Sequence, residues 1–146
     1  MGENNSFVNL SDSELSVVAG GVGGGGSVIA AGSFASNSGT QLNILVSWSI
    51  QSDIPGVNNL AVDVSASSYS LMSGASGVEL TVNGMTYAAT SSPVSYSGNS
   101  MAVNHLASFY VPNVSGFLNI RAVWHFNGTY SGVPVGDLYA EGSIAI

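Results

Sequence analysis

The chain has 146 residues, eight of them acidic and one an arginine; it has no lysine and no cysteine, and its formal net charge is −7. A single cation cannot neutralise several phosphates, which argues against nucleic acid as a partner, and the acidic balance argues against a cationic membrane-active peptide. Without cysteine there are no disulfides, no thiolate catalysis and no lanthionine-type crosslinks, so stability rests on packing.

Residues 10–21 read Leu-Ser-Asp-Ser-Glu-Leu-Ser-Val-Val-Ala-Gly-Gly. Ser11 and Glu14 have the spacing of a capping box, and Leu10 with Leu15 forms the matching hydrophobic staple. Asp12 and Glu14 place negative charge in the first turn, and Gly20-Gly21 supply a stop that tolerates the left-handed region. The spacing predicts a helix from about Asp12 to Ala19, too short to be stable alone in water, where roughly 12–15 residues are needed. Phe7, Leu10, Leu15 and Val18 are its apolar contacts for a partner. The segment resembles the double-glycine leaders of peptides exported by ABC transporters that carry their own peptidase domain. Leu10, Ser11, Glu14, Leu15, Val18, Gly20 and Gly21 match that pattern. The resemblance implies recognition through the first five, cleavage after Gly20-Gly21, a peptidase-containing transporter as export partner, and an extracellular or cell-surface location. A capped N-terminal helix that is never removed is the alternative reading of the same residues. The N-terminus lacks the basic start and long apolar centre of a general secretory signal. No apolar run approaches the roughly 18–20 residues that span a bilayer as a helix.

The predicted organisation is an export leader over residues 1–21, a glycine-rich hinge over 22–27 and one β-domain over 28–146. Gly23 to Gly26 give the hinge its freedom. The run has no Gly-Lys-Ser/Thr after it and no strand before it, so it is not a phosphate loop. Removal of 21 residues from 146 leaves 125, the size of a single domain with an ordinary core. Charged residues make up 6% of the chain against the usual ~25%, so its surface is built from Ser, Asn, Thr, Gly and Tyr. Such a surface opposes self-association weakly, because little charge must be desolvated. Adaptation to acidic or saline surroundings would leave the same composition.

From Ser27 onward the period is two. Val28-Ile29 with Phe34 form a first strand. Leu42, Ile44, Val46, Trp48 and Ile50 alternate with mostly polar neighbours, until Asp53-Ile54-Pro55-Gly56 breaks the pattern. Leu60, Val62 and Val64 oppose Ala61, Asp63 and Ser65. A further short strand is placed around Tyr69–Leu71. Val78, Leu80 and Val82 lead into Asn83-Gly84, the strongest hairpin signal in the chain. Met101, Val103, His105, Ala107, Phe109 and Val111 share one phase, ended by Pro112. Leu118, Ile120, Ala122, Trp124 and Phe126 share another, with Asn127-Gly128 read as a second tight turn. Leu138, Ala140, Gly142, Ile144 and Ile146 run to the C-terminus. Eight or nine such strands predict an all-β, antiparallel sandwich or jelly roll.

No reactive constellation emerges from the spacing. His105 shares its phase with Met101, Val103 and Phe109 and is expected to be a buried, satisfied histidine. His125 lies opposite Trp124 and Phe126, on the side of Arg121, where a solvated face or a carboxylate or sugar-acid site are both consistent. No metal-ligand spacing, Asp-x-Asp calcium loop, nucleophile elbow or selectable carboxylate pair is found, so neither catalysis nor a cofactor or metal is expected. Trp48, Tyr69, Tyr87, Tyr96, Tyr110, Trp124, Tyr130 and Tyr139 are possible sugar platforms, although most fall at core periods.

The leading expectation is a secreted structural subunit that partners with copies of itself in a fibre or surface layer. Val28, Ile29, Ala30 and Phe34 are its candidate donated strand. A bacteriocin-like or pore-forming antagonist and a carbohydrate-binding module are the alternatives.

Overall fold

A computed structural model of the chain describes residues 27–36, 41–130 and 133–146, and the residues assigned to leader recognition and cleavage lie outside these. The described residues contain strand, turn and loop only. The strands are β1 (Ser27–Ala35), β2 (Asn43–Ile54), β3 (Val57–Ser68), β4 (Leu71–Ser73), β5 (Gly77–Val82), β6 (Met85–Thr90), β7 (Val94–Tyr96), β8 (Ala102–Val114), β9 (Phe117–Trp124), β10 (Gly128–Tyr130), β11 (Val133–Pro134) and β12 (Leu138–Ala145). This exceeds the eight or nine expected, because short strands form where the sequence shows too few residues for an alternation.

All pairings are antiparallel and build three four-stranded sheets. Sheet I runs β1-β2-β3-β8, sheet II runs β12-β9-β5-β6, and sheet III runs β11-β10-β4-β7. Sheets I and II bury their apolar faces in one core. Ile44, Val46, Ile50, Leu60, Val62 and Val64 come from sheet I, and Val78, Leu80, Leu118, Ile120, Trp124 and Leu138 from sheet II. Sheet III adds Leu71, Val94 and Tyr130 to the same core. The result is an all-β, sandwich-like arrangement. Trp124, wholly buried, donates its indole N–H to Ser76 Oγ at 2.9 Å and meets Phe126 edge-to-face at 4.9 Å, which satisfies its one polar atom inside the core.

Turn chemistry sets the long hairpins. Pro55-Gly56 joins β2 to β3 with Gly56 at φ 84°, and Asn83-Gly84 joins β5 to β6 with φ of 48° and 87°, the two positive angles of a type I′ turn. Asn127-Gly128, in contrast, is not a hairpin turn. Gly128 begins β10 and pairs with Ser73, and a Cβ there would run into the Met72 carbonyl oxygen, so the glycine serves a close backbone approach. Pro112 does not end its strand either. β8 continues to Val114 on a sheet edge, where a missing N–H is tolerated, and the Asn113 N–H bonds Asn59 Oδ1 at 3.0 Å.

Among the described residues β1 is an edge strand, paired with β2 over its whole length, with Ile29 as an inserted bulge residue. Its inner side is shaped by two glycines. Gly32 faces the Trp48 indole, and Gly142 on β12 faces the Phe34 ring, where an added Cβ would lie 2.7 Å and 2.9 Å from the respective rings. Phe34 thus packs into a notch that only glycine leaves open, and this holds β1 against both sheets.

Candidate functional site on the outer face of sheet II

The alternation that buries Leu138, Ala140, Ile120, Ala122, Leu80 and Val78 sends their neighbours outward. Cross-strand register then arranges these neighbours in rows. Tyr139 lies opposite Val123, which lies opposite Glu79; Glu141, Arg121, Thr81 and Thr86 form the next row; Ser143 lies opposite Asn119. Glu79, Arg121, Asp137, Glu141 and His125 all gather on or beside this one face of a charge-poor molecule.

The side chains are tied to one another. The Arg121 guanidinium lies over the Tyr139 ring at 4.6 Å from its centroid, a geometry attractive to the ring's negative face. Ser143 Oγ donates to Asn119 Oδ1 at 2.7 Å, and the Asn119 backbone N–H donates to Asn83 Oδ1 at 2.8 Å. Thr81 and Thr86 share a hydroxyl bond of 2.9 Å across the hairpin. A groove of ≈ 430 Å³ runs over Thr81, Gly84, Asn119, Arg121, Glu141 and Ser143. A second, of ≈ 440 Å³, opens on the other side of β12 beside Ala35, Ser36, Val135 and Asp137, with Tyr139 and Glu141 in its wall. At the upper end of the face, His125 stands between two carboxylates, Nδ1 3.0 Å from Asp137 Oδ2 and Nε2 3.5 Å from Glu79 Oε1. The hydrogen bond to Asp137, reinforced by Glu79, raises its pKa above the usual 6.5 against a smaller opposing cost of burial.

A second polar cluster sits on sheet I. His105 Nε2 is 2.7 Å from Asp63 Oδ1 and 2.9 Å from Ser108 Oγ, and Ser108 Oγ donates to the same Asp63 oxygen at 2.7 Å. The expectation of a buried His105 is therefore incorrect; its side chain is 55% exposed. The cause is a bulge: Val64 pairs with Ala107 and Ser65 with His105, which leaves Leu106 as an extra residue. One inserted residue sends everything before it to the opposite face. The bond to Asp63 raises the pKa of His105 above 6.5, with burial opposing. Serine, histidine and aspartate thus meet although no spacing announced it. A serine nucleophile, however, must offer its proton to one imidazole nitrogen while the carboxylate holds the other. Here Asp63 takes the Ser108 proton and faces the same ring nitrogen, so the cluster is a hydrogen-bonded network without a relay.

Val28, Ile29, Ala30 and Phe34 all lie on β1, Val28 and Ile29 exposed and Ala30 and Phe34 packed against the core. Of the aromatic residues considered in the sequence, Trp124 and Tyr130 are core, whereas Tyr139 is 50% exposed. Its outward phase, shared with Glu141 and Ser143, was the available sequence signal. No family model matches the chain, and no curated protein or solved structure matches it.

Proposed function

We propose that this chain is a secreted structural subunit that assembles with copies of itself by exchange of β1. The observation that carries the reading is the place of β1. It is an edge strand, its inner residues Ala30, Gly32 and Phe34 complete a core made by the rest of the domain, and it is flanked by the glycine-rich residues 20–26 and the Ser/Asn/Gly/Thr residues 36–40. A strand that leaves its own β2 and fills the same place in the next copy remakes every contact it loses, including Phe34 over Gly142, and repeated head-to-tail exchange does not close. The low charge of the chain supports the reading, since copies meet with little desolvation cost. The remaining steps are export through a peptidase-containing ABC transporter, removal of residues 1–21 after Gly21, and the antiparallel β-sandwich as the repeating unit.

The absence of native cysteine gives a clean test. Ala31 and Ser49 are cross-strand partners, at a separation that a disulfide spans. In a variant carrying Ala31→Cys and Ser49→Cys, oxidation of the assembled protein is expected to yield a ladder of covalent oligomers on a non-reducing gel. A single monomeric band from fibres or layers seen by electron microscopy would overturn strand exchange. Deleting residues 22–36 is expected to leave only monomers, and fibres from that truncation would equally reject the donated strand.

A further inference from the structure

We propose that the outer face of sheet II is a binding site for a neutral oligosaccharide. The proposal is independent of strand exchange, because it uses β5, β9 and β12 and no residue of β1. Sugar hydroxyls both donate and accept, and a site that recognises them needs both kinds of partner at short range. Arg121 offers only donors and Glu141, its cross-strand neighbour, only acceptors; Asn119, Ser143 and Thr81 supply both. Two adjacent hydroxyls of a sugar ring can therefore span Arg121 and Glu141, one accepting from the guanidinium and the other donating to the carboxylate. Tyr139, half exposed beside them, carries the Arg121 guanidinium over its ring and so holds in place the donors that meet the sugar.

The charge pattern selects against other ligands. Arg121 is the one Lys or Arg of the chain and lies in a row with Glu141, with Glu79, Asp137 and His125 further along the face. An anionic ligand would meet more carboxylate than cation, and a cationic one would meet Arg121 at the centre. A neutral polyol meets neither penalty. The groove of ≈ 430 Å³ falls within the ~300–1,000 Å³ of small-ligand sites. The four strands make a polar strip about 14 Å wide, which suits a chain of sugars more than one ring.

The test is calorimetric titration of the full chain with cellohexaose, chitohexaose, mannohexaose and xylohexaose. Binding to at least one is expected, insensitive to salt, weakened at least about tenfold by Arg121→Gln and by Tyr139→Ala, and unchanged by His105→Gln, which lies on the other sheet. If Tyr139→Ala fails to fold by circular dichroism, Glu141→Gln, exposed and outside the core, must show the same loss. No binding to any of the four, binding that survives these substitutions, or binding abolished by salt would overturn the site. The same variants are expected to assemble normally, so loss of sugar binding with assembly intact separates this proposal from strand exchange.

Discussion

The two outer faces of the molecule obey the same alternation and end in opposite environments. On sheet II the outward residues are long, polar and exposed: Tyr139, Glu141, Arg121, Asn119, Thr86. On sheet I Ser47, Ser49, Gln51, Asn59, Ala61 and Ser65 are buried, Ser49 and Ala61 completely, and among them stands Asp63 with Ser108 and the exposed His105 beside it. Small polar residues in the polar phase of a strand look solvated in a sequence. The central strands of sheet I show that such residues can be buried around one cluster of Asp63, His105 and Ser108, whereas Glu79, Arg121, Asp137 and Glu141 all lie on or beside the outer face of sheet II. Sheet I therefore buries most of both of its faces, and sheet II keeps one face for solvent and ligand.

Placing a charge on each face gives the largest contrast. Ser49→Asp buries an unpaired carboxylate and is expected to cost at least about 3 kcal/mol in chemical unfolding. Thr86→Asp, on the exposed hairpin of sheet II, loses one cross-strand hydroxyl bond and is expected to cost under about 1 kcal/mol. Equal costs would show that the two faces are equally solvated. A smaller effect of opposite sign is expected from Ser49→Ala. The Ser49 hydroxyl is buried without a hydrogen-bond partner among the described residues, so its removal should stabilise the fold by about 1 kcal/mol; destabilisation would reveal a bond to that oxygen.

The smallest effect concerns the one charged cluster of sheet I. Because the folded His105 titrates above 6.5, its pairing with Asp63 stabilises the native state fully below pH 6.5 and is lost as pH rises through the raised folded value. The stability difference between the native chain and His105→Gln is expected to shrink as pH rises above about 6.5, and to be reduced by salt, since His105 is half exposed. A difference that grows with pH would reverse the assignment of the protonated partner.

The sequence carried the outward phase of sheet II in plain form. Leu138, Ala140, Ile120 and Leu80 announce the core, and Tyr139, Glu141, Arg121 and Thr81 follow by alternation. Their meeting on one face was not legible, since the order β12-β9-β5 depends on sheet topology. The hairpin at Asn83-Gly84 was legible because two consecutive positive φ angles need those residue types. The glycine of Asn127-Gly128 gave the same local signal, but it answers to β4, far back in the chain, whose carbonyl at Met72 leaves no room for a side chain. His105 was placed on the wrong face because Met101, Val103, Ala107 and Phe109 continue one apolar phase straight through the bulge at Leu106. A bulge changes hydrogen bonding to a neighbouring strand and leaves no compositional mark.

By itself, then, the sequence determined the all-β class, most strand interiors and the tight turns of the two long hairpins, because side-chain phase and positive φ are local properties of a chain. Only the tertiary structure decided which polar phases are buried, which glycines receive a ring from another strand, and which scattered polar residues become neighbours. Those outcomes depend on what lies across a sheet, and an alternating strand presents the same pattern to solvent and to a covering layer.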